Sequence, residues 1–271
     1  MSEKTSMAEA IPYAIWRKQE MGDAPGGAKG NLVVLPEVYS PQLGNTRNVV
    51  VYLPPSYAIG QKRFPVIYAQ DGQNLFDGAT GFAGQEWHAD DTLENLALLG
   101  KEVILVGVWN TERRANEYTP FSGRWVGEGE KYIDFLLDTL KPEIDRLFRT
   151  MPDRAHTGIM GSSLGGLISA WAFFTRPESF GFVGAFSPAF WPGGGEAYRM
   201  IGAAAFTPGR IYVDNGTREY SARPIVDILR QKGYVANKTF RYVEEQGGQH
   251  NEAAWAKRLP GALEFLLSAE G

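Results

Sequence analysis

The sequence predicts an α/β protein with a mostly parallel central sheet and helices on both faces. From residue 64 onward, short runs rich in β-branched and aromatic residues alternate with helical patterns. The central runs are apolar on both faces, which is typical of strands that helices cover on each side. The length of 271 residues lies within the range of one large α/β domain.

Eight runs have the composition of strands, and they lie at residues 31–40, 48–57, 64–72, 102–110, 155–161, 180–188, 210–216 and 240–246. The first two are expected to form an antiparallel pair, and the others a parallel sheet. Helical patterns lie at residues 85–100, 131–148, 164–174, 221–233 and 260–271. We therefore expect about eight strands, with a ligand site beyond their carboxyl ends.

The pattern at residues 131–148 contains an apolar stripe that a proline interrupts. The stripe consists of Tyr132, Leu136, Leu140, Ile144 and Leu147. Pro142 lacks a backbone N–H and clashes with the preceding turn, so it predicts a kink or a restarted helix.

No repeat, low-complexity tract or long linker divides the chain, so we expect one domain over residues 1–271, with an N-terminal extension at residues 1–29. The polar N-terminus lacks the apolar core of a signal peptide, and no apolar run approaches a membrane span. The chain thus reads as cytoplasmic and without a membrane partner, although a secreted protein whose signal had been removed would read alike. Its oligomeric state is left open.

Charge and cysteine content exclude several classes of function. The formal net charge of -4 comes from interspersed charges without a basic stripe, so nucleic acid is not an expected partner. The absence of cysteine excludes disulfides, thiol nucleophiles and cysteine zinc sites. There is no HExxH motif, no cluster of histidines and no phosphate-binding glycine loop, so no metal or cofactor is expected.

The stretch GIMGSSLGGLISAW, residues 158–171, contains a candidate nucleophile. The pattern Gly-x-Ser-x-Gly places Ser163 between Gly161 and Gly165, whereas Ser162 would have Met160 and Leu164 at the positions that must be small. An apolar strand precedes the motif and an apolar helix follows it, which is the context that the motif requires. We therefore predict that Ser163 lies on a sharp strand-to-helix turn.

His250 is the candidate base for this serine. It lies in a glycine-bearing loop, GGQHNEAAW, after the last strand run. His88 lies within a helical pattern, and His156 begins the strand that leads to Ser163, at the wrong end for catalysis. The order of serine, acid and histidine is that of an α/β-hydrolase triad.

The acid and the second oxyanion donor come from other loops. Asp214 and Glu219 both follow the seventh run, and spacing alone leaves them nearly even. One oxyanion donor is expected to be the N–H of Leu164, the residue after the nucleophile. The other is expected in the loop after the third run, where the candidate is the N–H of Gln73, with Asn74 beside it.

Taken together, these residues resemble the putative esterase family of the α/β-hydrolase superfamily. This family includes esterase D, the enterochelin esterases, the mycolyltransferases, and the feruloyl and acetylxylan esterases of carbohydrate esterase family one. The resemblance spans roughly residues 30–268 and depends on ordered motifs: NVVVYLPPSY, FPVIYAQDGQNLFD, GVWNTERRANEYTPF, GIMGSSLGG, SPAFW, NGTRE and GGQHNEAAW.

The resemblance implies the α/β-hydrolase fold with an eight-stranded sheet, a Ser-acid-His triad, and a second oxyanion donor at Gln73. In the feruloyl esterase branch the acid follows a Gly-x-x-acid pattern, which here falls on Gly216 and Glu219 and favours Glu219. Glutamate stands where that branch usually has aspartate.

We therefore expect a serine carboxylic-ester hydrolase that acts through a covalent acyl-enzyme on a small or carbohydrate-linked ester, such as an acetyl or feruloyl ester. The alternatives are an enterochelin-type trilactone esterase, an acyltransferase, and a catalytically silent ligand-binding member. Aromatic rings in the loops suit sugars or aromatic acyl groups, and arginines suit anions. The candidate substrate-binding residues are Asn74, Trp109, Arg114, Tyr118 and Trp191.

Overall fold

A computed structural model describes residues 9–268 as one twisted sheet with helices on both faces. The strands are β1 Ile11–Pro12, β2 Asn31–Ser40, β3 Asn45–Leu53, β4 Val66–Gln70, β5 Ile104–Val108, β6 Thr157–Ser162, β7 Phe182–Phe186, β8 Arg210–Gly216 and β9 Phe240–Glu245. Their order across the sheet is β1-β2-β3-β5-β4-β6-β7-β8-β9. The pairs from β5 to β9 are parallel, and β1, β2 and β3 are antiparallel to their neighbours.

The helices are α1 Tyr13–Met21, α2 Ala89–Leu98, α3 Arg114–Glu117, α4 Gly129–Asp134, α5 Lys141–Leu147, α6 Leu164–Thr175, α7 Pro192–Ala203, α8 Pro224–Gln231 and α9 Glu252–Leu266. A π-helical segment, Phe135–Leu140, joins α4 to α5. Of the helices in residues 9–268, none combines the length and the apolar character needed to cross a membrane.

The fold prediction is confirmed, with three differences. The sheet has nine strands instead of about eight, because the two-residue β1 pairs with β2 through Ile11–Val34 and Pro12–Val33. Helices α1, α3 and α7 were not predicted, and α9 begins at Glu252 instead of residue 260. The predicted extension of residues 1–29 contains β1 and α1, while residues 1–8 lie outside the described part, as do residues 269–271 of the last predicted helix.

Two apolar cores lie on opposite faces of the sheet. Because strand side chains alternate between faces, Ile104, Val106 and Val108 of β5 enter one core and Val103 and Leu105 enter the other. The first core lies under α4 to α8, and the second lies under α1, α2 and α9. This arrangement covers both faces of the parallel strands and leaves their carboxyl edge for loops.

Candidate active site

Ser163 occupies a strained turn between β6 and α6. Its backbone φ is 55° and ψ is -120°, a conformation that is rare for a residue with a side chain. Its N–H donates to the Phe186 carbonyl at 2.9 Å, which holds the turn against the end of β7. The neighbouring Ser162 is the last residue of β6 and is buried.

The glycines around Ser163 allow a close approach of backbones. A Cβ atom on Gly161 would lie 2.8 Å from the Gly165 carbonyl carbon and 2.8 Å from Gln70 Cβ. A Cβ on Gly165 would lie 3.0 Å from the same Gln70 atom. The spacing of glycines that singled out Ser163 therefore has the expected physical cause. A Cβ at position 161 would clash with Gln70 of β4 and with the Gly165 backbone, and a Cβ at position 165 would crowd Gln70.

His250 contacts Glu219 through a short hydrogen bond. His250 Nδ1 lies 2.6 Å from Glu219 Oε2, and the imidazole packs edge-to-face on Trp255 with ring centroids 5.1 Å apart. An ionised carboxylate can only accept, so Nδ1 carries a proton and Nε2 is left as the basic nitrogen. The His250 side chain is 43% exposed and that of Glu219 only 4%.

The Glu219 carboxylate is held on its other oxygen as well. Glu219 Oε1 accepts from Ser187 Oγ at 2.8 Å and from the Gly216 N–H at 2.5 Å. Burial alone would raise the pKa of Glu219, but the hydrogen bonds from His250, Gly216 and Ser187 outweigh burial, so its pKa lies below the ordinary value. The group is therefore held as a carboxylate.

Asp214, the other candidate acid, has different partners. It lies in β8 and is fully buried, where it accepts from the Ser187 N–H at 2.9 Å and from the Tyr212 hydroxyl at 3.0 Å. Its Oδ2 also lies 3.0 Å from Arg258 Nε. Burial raises the pKa of Asp214 to about 7, despite the opposing effect of Arg258. The geometry thus favours Glu219 as the acid that faces histidine.

Gln73, whose N–H is predicted to be the second oxyanion donor, lies in the turn after β4. Asp71 has a left-handed backbone with φ 56°, and a short 3₁₀ turn, Gly72–Asn74, follows it. A Cβ on Gly72 would lie 2.2 Å from the Gly107 carbonyl carbon, so glycine is required there. Within residues 9–268, no hydrogen bond is found from the Gln73 N–H or the Leu164 N–H to a protein acceptor outside their own elements.

Side chains of the following loop hold this turn in place. Asp71 Oδ1 accepts from Asn110 Nδ2 and Arg114 Nε, each at 2.7 Å, and Oδ2 accepts from Arg114 Nη2 at 2.7 Å. The Asp71 N–H donates to the Tyr118 hydroxyl at 3.3 Å. The Arg114 guanidinium thus forms a bidentate ion pair with the Asp71 carboxylate.

Two predicted substrate contacts are corrected by burial. Tyr118 is fully buried and supports Asp71, so its ring offers no surface to a ligand. Asn74 is also buried, with Nδ2 donating to Glu252 at 3.3 Å and Oδ1 accepting from the Phe82 N–H at 2.9 Å. Both residues support the turn after β4 through buried hydrogen bonds.

The remaining predicted contacts lie nearer the surface. Arg114 is 29% exposed, and Trp109 is half-buried with its ring edge-to-face on Trp16. Trp191 is 46% exposed, and its ring lies 5.9 Å from that of Trp125 and 6.4 Å from that of Tyr220. Trp191 and Trp125 line a cleft of about 250 Å³.

Several residues of the site were not predicted from sequence. Ser187 falls in the motif SPAFW, directly after a strand, and that position could have marked it. Arg258 and Glu252 lie in α9 before the predicted helical pattern begins at residue 260, and nothing in the local sequence indicates that their charges are buried. In the part of the chain that the structure describes, no group of three His, Asp or Glu side chains has a metal-binding arrangement.

Comparison with known proteins assigns the family. The model of the family described as "Putative esterase" matches residues 40–266. The chain belongs to the putative esterase family. The predicted resemblance is confirmed, and ester hydrolysis is the chemistry that membership of the putative esterase family supports.

Relatives of this esterase differ in how much of their length it covers. The chain is 27% identical to the uncharacterized protein YbbA of Bacillus subtilis, over 81% of this chain and 92% of the relative. It is 31% identical to the siderophore triacetylfusarinine C esterase of Aspergillus fumigatus, over 49% of this chain and 46% of that relative. The structure of a ferulic acid esterase superposes with a TM-score of 0.69 at 22% identity, covering 87% and 96% of the two chains, and it shows the shared fold.

Proposed function

We propose that the protein is a serine carboxylic-ester hydrolase in which Ser163, His250 and Glu219 form the catalytic triad. The observation that carries the proposal is the 2.6 Å bond between His250 Nδ1 and Glu219, at the same sheet edge as the strained Ser163 turn. This bond leaves Nε2 of His250 free to accept the Ser163 proton. Membership of the putative esterase family supports the reaction class.

The reaction proceeds in two halves. Ser163 Oγ attacks the ester carbonyl carbon while its proton moves to His250 Nε2, and the N–H groups of Leu164 and Gln73 stabilise the oxyanion that forms. His250 then returns the proton to the leaving alkoxide, and the alcohol departs from the acyl-enzyme. Water attacks the acyl carbon with the same histidine as base, which releases the acid and restores Ser163. Glu219 stabilises the imidazolium throughout.

We propose a small or carbohydrate-linked ester as the substrate, with an acetyl or feruloyl group as the acyl part. The exposed ring of Trp191 beside Trp125 supports this choice, because flat rings stack on sugars and on aromatic acyl groups. The siderophore and ferulic acid esterases among the relatives support an ester over a peptide as the substrate. A panel of acetyl, feruloyl and catecholate esters ranks these acyl groups by kcat/KM.

Replacing the nucleophile is the decisive test. Ser163→Ala removes the attacking oxygen, so kcat for p-nitrophenyl acetate should fall by about 10⁴-fold or more, and a fluorophosphonate probe should no longer label the protein. Ser162→Ala is the matched control, because Ser162 is an adjacent serine whose backbone lies in β6. Wild-type rates in Ser163→Ala, or labelling that survives the substitution, would disprove the assignment.

A further inference from the structure

Ser187 follows β7 in a left-handed conformation, with φ 41°, and is buried. Its N–H donates to Asp214 twice over, to the carbonyl oxygen at 3.0 Å and to Oδ1 at 2.9 Å. A residue with a side chain is rarely found at positive φ in a buried turn unless its surroundings hold it there. Here the turn directs the Ser187 hydroxyl toward Glu219 of the proposed triad.

The hydrogen bonds of Ser187 Oγ define the direction of its proton. Oγ lies 2.9 Å from Trp255 Nε1, 2.9 Å from Arg258 Nη2 and 2.8 Å from Glu219 Oε1. Indole and guanidinium nitrogens only donate, so they occupy the two lone pairs of the hydroxyl. The one remaining bond must be donation from Ser187 to Glu219, and every hydrogen-bonding capacity of the hydroxyl is then used.

Arg258 and Trp255 are themselves held firmly. The Arg258 side chain is 4% exposed, with Nε 3.0 Å from Asp214 Oδ2 and Nη1 3.0 Å from Glu245 Oε2. Its Nη2 lies 3.8 Å from Glu219 Oε1. Trp255 packs its ring against His250 while its N–H reaches Ser187. The Trp255 indole thus contacts His250 directly and is linked to Glu219 through the Ser187 hydroxyl.

We propose that Ser187 is a positioning residue for the esterase reaction: oriented by Trp255 and Arg258, its hydroxyl fixes the Glu219 carboxylate against His250. The inference rests on the proposed function, because it assigns a purpose to the support of Glu219. Ser187 touches neither the substrate nor the reacting atoms, so its loss should slow the chemical step and leave substrate binding unchanged.

Ser187→Ala tests the inference, with Ser40→Ala as the matched control. Ser40 is also a buried serine, and its hydroxyl accepts the Leu43 N–H at 3.1 Å, but it is the last residue of β2 and pairs with Asn45 of β3. With p-nitrophenyl acetate, Ser187→Ala should lower kcat by about 10- to 100-fold with KM within about twofold, because a poorly placed acid misorients the base. Ser40→Ala should leave both constants within about twofold, provided circular dichroism shows both variants folded.

Ser187→Gly covers the case in which the alanine variant does not fold, because glycine adopts φ 41° without strain and also lacks the hydroxyl. The rate of labelling by a fluorophosphonate probe gives a second readout, which should fall by the same factor as kcat. If wild type is labelled and a folded Ser187 variant reacts at the wild-type rate, or if only its KM changes, the positioning role is wrong. If wild type itself is not labelled, the proposed function fails instead.

Discussion

Three residues with side chains adopt left-handed backbones directly after parallel strands of the sheet. Asp71 follows β4, Ser163 begins the turn after β6, and Ser187 follows β7, with φ values of 56°, 55° and 41°. Such conformations cost about 1–3 kcal/mol each and persist where the surroundings over-determine them. In the proposed mechanism Asp71 begins the turn that carries Gln73 (residues 71–74, the oxyanion turn), Ser163 is the nucleophile, and Ser187 positions the acid. Backbone strain is therefore concentrated at residues whose orientation matters for the reaction.

The two acids near the site should differ sharply on substitution. Glu219→Gln removes the charge that faces His250 and should lower kcat by about 10³- to 10⁴-fold. Asp214→Asn keeps its shape in β8 and does not contact His250, so kcat per folded molecule should fall by less than about 10-fold. Steady-state kinetics with p-nitrophenyl acetate, corrected for the folded fraction, checks the ranking, and a reversed order would make Asp214 the acid.

The lowered pKa of Glu219 predicts a pH dependence of stability. Its folded pKa lies below its ordinary value of 4.5, so its charged form stabilises the fold above pH 4.5 and loses this effect as pH falls through the folded pKa. The difference in unfolding free energy between wild type and Glu219→Gln should shrink as pH falls below about 4.5. Urea unfolding across this range checks the sign, and a difference that grows on acidification would contradict it.

Local patterns pointed to the proposed reacting residues, but not to the residues that support them. The glycine register around Ser163 and the loop position of His250 are encoded within a few residues, and backbone crowding explains the glycines. Whether the Tyr118 side chain is exposed or buried depends on residues that are distant in sequence and pack over it. A loop position alone carries no such information, which is why Tyr118 was expected at the substrate.

At the scale of single elements, glycine content explains why α7 was not predicted. Its sequence begins PGGGEAYR, and three consecutive glycines read as a loop. In the structure all three have positive φ, between 63° and 84°, and the helix continues after them. The strands were predicted better, because their burial on both faces produces apolar runs that propensity alone can detect.

A buried ion pair fastens α3 to the sheet. Arg47 Nη1 of β3 lies 2.9 Å from Glu117 Oε2, with both side chains fully buried, and Glu117 also accepts from Asn45 and Thr111. The same short helix begins at Arg114, the residue that holds Asp71. The ion pair therefore anchors the support of the oxyanion turn.

Glu117→Gln should destabilise the protein strongly, because it leaves the Arg47 charge buried without a partner. The expected loss in unfolding free energy is about 3–5 kcal/mol. Glu143→Gln is the matched control, since its ion pair with Arg146 lies at the surface of α5, where solvent screens it, and its loss should change stability little. Urea unfolding measures both, and equal losses would show that burial of the Arg47–Glu117 pair has no special effect.

At the scale of the whole molecule, the N-terminal helix is part of the second core. Tyr13 and Trp16 of α1 are buried, and Trp16 meets Trp109 at the end of β5 with ring centroids 5.5 Å apart. Arg17 Nε lies 2.5 Å from Asp77 Oδ2, which also accepts from the Tyr13 hydroxyl at 3.0 Å. Helix α1, which precedes the residues that the family model matches, thus packs against Trp109, the residue before Asn110, which donates to Asp71.

Trp16→Ala should therefore lower the unfolding free energy by about 3–5 kcal/mol, because it opens a cavity behind Trp109. Ile15→Ala is the control on the same helix, since Ile15 is 53% exposed and its truncation should change stability by less than about 1 kcal/mol. Thermal and urea unfolding compare the two variants. Similar stabilities would mean that α1 is not held against the core.

The π-helical segment between α4 and α5 accounts for the spacing of its buried face. Tyr132, Leu136, Leu140 and Ile144 are each four residues apart and all at most 1% exposed, although four residues of α-helix advance by about 40° beyond one turn. The wider π turn absorbs part of this drift and brings Pro142 to the start of α5.

The length of this segment is consequently coupled to the strand below it, because the Tyr132 hydroxyl donates to Gln70 Oε1 at the end of β4. Deleting one residue from 135–140 would rotate α4 against α5 by about 100° and carry Tyr132 off Gln70. The deletion of one residue in this helical segment would therefore remove a hydrogen bond from Gln70, one residue before Asp71 and the turn that carries Gln73.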